Sequence, residues 1–195
     1  MSRQLSRSFK RGYSPLKIPS ATLLKEAWDN GTSYILMKKT ILRSVKVNNE
    51  EETRAFGHEI AANAYSGEVI ALIGPMGTGK TALTRYIAEG LGVKERISSP
   101  TFNIIKEYRS GRLPLFHFDV YRLAGQEAEL LTNGESSPEA IEELYNIGAD
   151  EYFFGDGISI VEWADLVSEA LPEETEYIFI EYGENEGERT YKCTF

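Results

Sequence analysis

The sequence predicts an α/β fold in which a mixed, mainly parallel sheet lies between layers of helices. Two apolar runs, at residues 69–73 and 158–161, have no polar face, which is typical of central strands buried on both sides. Two further pairs of strand-like runs are joined by short polar segments and predict antiparallel hairpins. Helical patterns separate the strands, as expected for helices that cover a central sheet.

The elements follow from local patterns taken in chain order. Imperfect alternation at residues 41–47 predicts a first strand, and Asn49 is expected to cap a helix that runs to about Tyr65. Glutamates at 50–52 favour the first turn of that helix because the dipole is positive there. The remaining predictions are a strand at 69–73, a helix at 80–89, a hairpin of strands at 102–108 and 113–120, a helix at 139–147, a strand at 158–161, a short helix at 165–170, and a hairpin at 177–182 and 190–195.

Cysteine content and hydropathy limit the class of protein. The single cysteine, Cys193, cannot form an intrachain disulfide, so a reducing cytoplasmic location is expected. The longest apolar run, 69–73, is far shorter than the roughly 20 residues that a membrane span needs. Residues 1–36 are rich in Ser and Arg and lack periodicity. We expect a poorly ordered basic extension there, either a tail or an over-extended start rather than an import signal, before one domain at 37–195.

Charge is distributed unevenly along the chain. The formal net charge is -9, yet residues 124–195 alone carry nineteen acidic and two basic side chains. Such a surface repels a phosphate backbone, because nucleic-acid affinity comes largely from Lys and Arg. The acidic third therefore serves either as a solubilising face or as a docking surface for a basic partner, and any RNA is expected to be held by another protein.

The segment Gly74-Pro75-Met76-Gly77-Thr78-Gly79-Lys80-Thr81 matches G-x-x-x-x-G-K-[ST] in full. It lies between an expected buried strand and an expected helix, the context in which this phosphate-binding loop (P-loop) occurs. Backbone amides and the helix N-terminus would surround phosphates, Lys80 would supply a cation, and Thr81 would offer a hydroxyl to Mg²⁺. The motif predicts a P-loop NTPase-like three-layer sandwich that binds a nucleoside triphosphate.

Three further residues are candidates for the metal and the γ-phosphate. Asp119 ends an apolar strand-like run, where a Walker B acid belongs. Thr101 lies in the loop before the first hairpin and is a candidate switch residue. Glu162 follows the second buried strand and is expected at the edge where α/β sheets bind ligands, where it could order either a metal-bound or an attacking water.

The histidines and Trp163 give no firm signal. His58 and His117 are far apart in sequence with no cysteine nearby, so a zinc site is not expected, and His117 is interpreted as a core or edge residue. Trp163 follows Glu162 and serves either in packing or in binding, as part of the nucleotide pocket or as a hot spot for a partner.

Four motifs together resemble the TsaE family of small bacterial P-loop ATPases. They are the P-loop, Ser99-Pro100-Thr101-Phe102, His117-Phe118-Asp119-Val120-Tyr121-Arg122-Leu123 and Val161-Glu162-Trp163, and the resemblance covers about residues 41–195. It implies Mg²⁺-dependent ATP hydrolysis in support of the TsaB and TsaD proteins. These attach threonylcarbamoyl to the adenosine beside the anticodon of tRNAs that read codons beginning with A.

The resemblance also assigns roles to single residues. It makes Lys80 a phosphate ligand, Thr81 and Glu162 the Mg²⁺ site, Asp119 a Walker B-like acid and Thr101 a switch residue. It places adenine near the start of the first helix, at Glu50 and Thr53.

The sequence departs from the family pattern at several positions. Pro75-Met76 replaces an acidic-Leu pair, Ala164 stands where Pro is usual, and residues 132–138 resemble an insertion. Arg189 lies near a family Gly-Arg element and is expected to make a weak ATP contact.

Two other functions remain compatible with the P-loop. A small-molecule or nucleotide kinase would share the loop, but it needs a second basic cluster, and beyond Arg122 the chain has only Arg189 and Lys192. A non-hydrolysing adaptor switched by ATP would differ from an ATPase only in turnover. For hydrolysis, Arg122 and an arginine from a partner are equally good candidates for an arginine finger.

Overall fold

The computed structural model describes residues 39–129 and 136–195. The expected extension at 1–36 and most of the expected insertion at 132–138 lie outside these residues. The strands are β1 (Arg43–Val47), β2 (Val69–Ile73), β3 (Ile105–Tyr108), β4 (Leu115–Asp119), β5 (Ile158–Glu162), β6 (Glu176–Tyr182) and β7 (Arg189–Cys193). The helices are α1 (Glu50–Asn63), α2 (Lys80–Gly90), α3 (Pro138–Asn146) and α4 (Ala149–Phe153), with 3₁₀ segments at Tyr121–Glu129 and Ala164–Ala170.

The strands form one sheet in the order β1-β7-β6-β2-β5-β4-β3. Strand β2 pairs in parallel with β5 and β6, and β4 pairs in parallel with β5. The hairpins β3–β4 and β6–β7 are antiparallel, and β1 joins the edge antiparallel to β7. The predicted α/β sandwich with a mainly parallel centre and antiparallel additions is therefore confirmed.

Helices cover both faces of the sheet. Helices α1 and α2 pack together over one face, where Leu83 and Ile87 of α2 meet Ile70 and Ile160 of the sheet in a buried core. A Cβ atom at Gly57 of α1 would lie 2.6 Å from Tyr86 Cβ, so this close helix approach requires glycine. The other face is covered by α3, α4 and the second 3₁₀ segment, whose Leu144, Phe153 and Val167 join a second core. Among the described residues, every helix is too short or too polar to cross a membrane.

The predicted elements are confirmed with shifts at their ends. Asn49 caps α1 by accepting a hydrogen bond from the Glu52 amide, but the helix ends at Asn63 rather than near Tyr65. Strand β3 begins at Ile105 instead of Phe102. The amides of Asn103 and Ile104 both donate to the Pro100 carbonyl at 2.7 Å, which closes a turn there.

Two helical segments were not predicted. Helix α3 does end before Gly148, but this glycine has φ +68° and begins α4 directly. The 3₁₀ segment at Tyr121–Glu129 follows β4 without a sequence signal for a cap. The short helix expected at 165–170 is present as a 3₁₀ segment that starts at Ala164.

Candidate functional site

The candidate site lies at one edge of the sheet. The parallel strands β2, β4 and β5 end there, at Ile73, Asp119 and Glu162, and Asp119 is the register partner of Glu162. A cavity of about 410 Å³ opens at this edge. Its walls come from the P-loop, the start of α2, the loop before β3 and the ends of β4 and β5. The lining residues are Met76, Gly77, Gly79, Lys80, Thr81, Ala82, Ser99, Thr101, Asp119, Tyr121, Glu162 and Trp163.

The P-loop has the backbone of an anion cradle. Gly74, Gly77 and Gly79 have φ values of +156°, +78° and +99°, a region that favours glycine. A Cβ atom at Gly74 would lie 2.4 Å from the Ile180 carbonyl oxygen, so the loop is seated tightly on β6. Gly79 precedes α2 and provides no side-chain cap, which leaves the first-turn amides of this helix available to a phosphate.

Lys80 is held inside this loop. Its ammonium donates hydrogen bonds to the carbonyls of Gly74 at 2.6 Å and Pro75 at 3.0 Å, and lies 3.5 Å from the centre of the Trp163 ring. Burial lowers the pKa of Lys80 to about 8, while the nearby carboxylates, Glu162 foremost, act in the opposite direction. A desolvated cation in an acidic pocket is suited to bind an added anion.

Glu162 is enclosed by donors from α2 and β4. The hydroxyl of Thr81 donates to Oε2 at 2.8 Å, and Nε2 of His117 lies 2.7 Å from Oε1. Thr84 reaches Oε1 at 3.5 Å. Glu162 and His117 are only 2% and 0% exposed. The carboxylate is thereby fixed beside the hydroxyl that was expected to bind a metal.

Asp119 is connected to the loop before β3. Its Oδ2 accepts hydrogen bonds from the hydroxyl of Thr101, at 2.7 Å, and from that of Ser99. Its Oδ1 accepts from the Tyr121 amide at 3.2 Å. Thr101, the expected switch residue, thus contacts the expected Walker B acid directly.

Trp163 has an uncommon backbone conformation and forms part of the cavity wall. Its φ is +62°, a conformation that costs a bulky residue on the order of 1 kcal/mol or more. Its ring packs against Tyr121 with 4.7 Å between centres and covers Lys80. Of the two roles left open by the sequence, the structure supports the pocket. The nearby Asp165 carboxyl has an Oδ1 without a hydrogen-bond partner among the described residues, and burial raises its pKa.

Two residues of the β6–β7 hairpin support the P-loop from outside. The Arg189 guanidinium donates to the Thr78 carbonyl at 3.0 Å, and the Tyr182 hydroxyl donates to the Met76 carbonyl. The Arg189 guanidinium carbon also lies 4.8 Å from the centre of the Tyr182 ring. Arg189 therefore contacts the loop backbone, and its expected contact with ATP stays a prediction.

The expected residues Glu50, Thr53 and Arg122 belong to neither the cavity wall nor the P-loop. Glu50 accepts a hydrogen bond from the Tyr86 hydroxyl, and the Thr53 hydroxyl donates to the Asn49 carbonyl at 3.1 Å. They lie at the start of α1, just after Val47, which pairs with Arg189. Their proposed role in adenine binding stays a prediction. Arg122, the in-chain candidate for an arginine finger, lies over the exposed ring of Phe102 at 4.8 Å.

The donor set fits a magnesium nucleotide. Mg²⁺ is commonly held by one or two carboxylates together with substrate phosphates and water. Within residues 39–129 and 136–195, no group of three His, Cys, Asp or Glu side chains could hold a metal by itself. A metal would therefore need oxygen ligands from Thr81, Glu162 or Asp119 together with phosphate, which the adjacent P-loop is shaped to position.

The sequence interpretation missed His117 and Ser99. The interpretation of His117 as a core or edge residue is confirmed by its complete burial, but the sequence did not indicate its 2.7 Å contact with Glu162. A signal was available, because His117 lies two residues before Asp119 and so on the same face of the strand. Ser99 lies in the same loop as Thr101 and also contacts Asp119, and no pattern in the sequence signals that contact.

Known proteins are similar to this chain in sequence and fold. A family model described as "Threonylcarbamoyl adenosine biosynthesis protein TsaE" matches residues 47–191. The tRNA threonylcarbamoyladenosine biosynthesis protein TsaE of Bacillus subtilis is 43% identical over 156 residues, 80% of this chain and 86% of that protein. The protein of the same name from Treponema pallidum is 36% identical over 125 residues, 64% of this chain and 81% of its own length. The crystal structure of Bacillus subtilis YdiB matches with a TM-score of 0.60 and 38% identity, covering 77% of this chain and 83% of that one. The chain belongs to the TsaE family.

Proposed function

We propose that this protein binds ATP with Mg²⁺ and hydrolyses it, slowly alone, in support of TsaB and TsaD as they form threonylcarbamoyladenosine in tRNA. The observation that carries the proposal is the pairing of Thr81 with Glu162 at the N-terminus of α2. Thr81 follows Lys80 directly and its hydroxyl lies 2.8 Å from the Glu162 carboxylate. A phosphate cradle, a cation and a hydroxyl–carboxylate pair thus meet within one cavity.

Each side chain has a role that its surroundings support. MgATP, when bound, supplies the phosphoanhydride bond whose hydrolysis provides free energy. Lys80 would exchange its hydrogen bonds to the loop carbonyls for phosphate oxygens, and Thr81 with Glu162 would orient the metal. Asp119 and Thr101 would couple the occupied site to the loop before β3. Trp163 shields Lys80 from water.

The tRNA pathway is supported by the names of the relatives. The matched family and its curated members carry threonylcarbamoyladenosine biosynthesis in their names. The partners TsaB and TsaD come from the family resemblance. We place the reaction in the cytoplasm, in keeping with the single cysteine. We place the tRNA on the partners, because the acidic residues of 124–195 repel a phosphate backbone.

The charges of the cavity argue against a kinase. Among the described residues that line it, Lys80 carries the single positive charge, while Asp119 and Glu162 are acidic. Transfer to a small acceptor needs further cations to neutralise the developing charge. Hydrolysis with an arginine supplied by a partner, or by movement of Arg122, fits this composition better.

The first test measures nucleotide binding. Isothermal titration of ATP into the full chain, with Mg²⁺ and with chelator, is compared with Lys80→Ala and with the matched control Lys94→Ala, an exposed lysine after α2. We expect Lys80→Ala to abolish or severely weaken binding and Lys94→Ala to leave it unchanged. Unaltered affinity in Lys80→Ala would remove the site assignment.

The second test measures turnover and coupling. Phosphate release from ATP is followed for the chain alone and after addition of purified TsaB and TsaD, with Lys80→Ala as the blank. We expect slow release that changes when the partners are added. Release that ignores the partners but responds to a small acceptor would indicate a kinase, and tight binding without release under any condition would indicate an adaptor.

A further inference from the structure

His117 is a buried imidazole that connects β4 to the acidic end of β5. In the register of these strands His117 pairs with Ile160, so Glu162 is its diagonal neighbour on the same face of the sheet. This face is the one that α2 covers. The imidazole therefore lies beneath the first turn of α2, behind the carboxylate as seen from the cavity.

The two oxygens of Glu162 have different partners, with His117 and a longer contact from Thr84, at 3.5 Å, on Oε1, and Thr81 on Oε2. Oε1 lies 2.7 Å from His117 Nε2, and Oε2 accepts from the Thr81 hydroxyl at 2.8 Å. The pairing uses the imidazole tautomer in which Nε2–H donates and the carboxylate oxygen accepts. With Oε1 held from behind, the carboxylate cannot rotate freely about its last torsion, and Oε2 stays directed at Thr81.

The imidazole is not needed to complete the hydrogen bonding of the core. His117 is completely buried, and its Nδ1 has no hydrogen-bond partner among the described residues. Burial of a polar atom without a partner costs free energy, which an apolar residue at this position would avoid. The neighbours of His117 along the strand, Leu115 and Phe118, are apolar and equally buried. The bond to Glu162 is thus what distinguishes this position from an ordinary core position.

We propose that His117 is a positioning residue that fixes the Glu162 carboxylate toward Thr81 and thereby sets the affinity of the nucleotide site for its divalent cation. The inference rests on the proposed function, because it takes Thr81 and Glu162 as the metal site. Groups that orient metal ligands from behind commonly change metal affinity by about 10- to 100-fold when they are removed. His117 has this relation to Glu162.

Two amide variants separate the hydrogen bond from the polarity of the side chain. His117→Gln places an amide nitrogen near the position of Nε2 and can still donate to Glu162. His117→Asn is also polar but too short to reach the carboxylate. Ser159→Ala is the matched control, because Ser159 is a buried polar residue of β5 whose hydroxyl donates to the Tyr152 carbonyl, on the face opposite Glu162.

The readout is the Mg²⁺ concentration that half-saturates the change in nucleotide affinity, measured on full chains by calorimetry. A second readout is Trp163 fluorescence in a Trp28→Phe background. We expect His117→Asn to raise this concentration about tenfold or more while ATP affinity in chelator stays within about threefold. His117→Gln and Ser159→Ala should remain within about threefold of the parent chain. Phosphate release is measured in parallel, so that loss of activity is not the sole evidence.

The outcomes separate this inference from the proposed function. A parent chain that binds ATP without any response to Mg²⁺ would overturn the metal site and this inference with it. A normal parent chain with an unchanged Mg²⁺ response in His117→Asn would overturn the positioning role alone. Equal impairment of the Gln and Asn variants would do the same, since it would trace the effect to packing of the ring. If His117→Asn lacks a cooperative unfolding transition, His117→Leu takes its place in the comparison.

Discussion

Glu162 and Asp119 end adjacent parallel strands in matched register, yet their surroundings differ in kind. Glu162 is held by side chains from α2 and β4, which are regular elements packed into the core. Asp119 is held by two hydroxyls of the loop before β3 and by the amide that follows β4. One carboxylate is bound by regular elements, which we call the rigid frame of the site, and the other by a loop, which we call the adjustable segment.

The difference separates two tasks within one cavity. A group that must hold a metal in fixed geometry gains from partners on helices and strands, because their positions are set by packing. A group whose contacts must change when the site becomes occupied gains from partners on a loop, because a loop can exchange hydrogen bonds without disrupting the core. Phe102, beside Thr101, is 86% exposed and would carry such a change to the surface.

The largest loss of turnover is expected at Glu162, the carboxylate of the rigid frame. Glu162→Gln keeps the shape of the side chain but removes its charge, so phosphate release should fall on the order of 10²-fold or more. ATP affinity in chelator should change little, because Lys80 and the loop amides remain. The measurement is Mg²⁺-dependent phosphate release beside calorimetry, with the exposed Glu169→Gln as control. Turnover equal to that of the parent chain would remove Glu162 from the mechanism.

A smaller loss of turnover is expected at Thr101, in the adjustable segment. Thr101→Val removes one hydrogen bond to the Asp119 carboxylate while Ser99 retains another, so a loss of about 1.5 kcal/mol, about tenfold in turnover, is expected. Thr101→Ser keeps a hydroxyl and should stay close to the parent rate. If Thr101→Val and Glu162→Gln lose turnover equally, the proposed division between the two carboxylates fails.

The sequence predicted the rigid frame more completely than the adjustable segment. Glycine positions, apolar runs and helix caps are local signals, and they located the P-loop, β2, β5 and α2 within a residue or two. The turn at residues 100–104 depends on two amides sharing the Pro100 carbonyl, and no periodicity signals it. The link from His117 to Glu162 joins residues 45 positions apart and depends on strand order, which one sequence does not specify.

A third carboxylate lies at the opposite edge of the sheet, where a backbone amide, that of Tyr65, donates to it at 3.2 Å. Glu68 precedes β2 and is buried, and burial, followed by the nearby Glu176 carboxylate, raises its pKa to about 8. The folded state therefore favours the protonated acid. Protonated Glu68 contributes fully to the free energy of unfolding below the unfolded-state pKa of 4.5. This contribution is lost as the pH rises through 8. Glu162, by contrast, has a side-chain hydroxyl and an imidazole as its hydrogen-bond partners.

The smallest effect is expected at Glu68, and it concerns the free energy of unfolding instead of turnover. As the pH rises from about 4.5 to about 8, the free energy of unfolding of the parent chain should fall, because Glu68 ionises readily in the unfolded chain but only with difficulty beside Glu176 in the folded one. Glu68→Gln stays neutral, so its decline should be shallower, and at about pH 9 it should be more stable than the parent by on the order of 1 kcal/mol. Urea unfolding at several pH values measures this, with the exposed Glu174→Gln as control. Parallel pH profiles for Glu68→Gln and the parent would show that Glu68 is ionised in the folded protein, and the contrast between the two edges of the sheet would then lose its electrostatic basis.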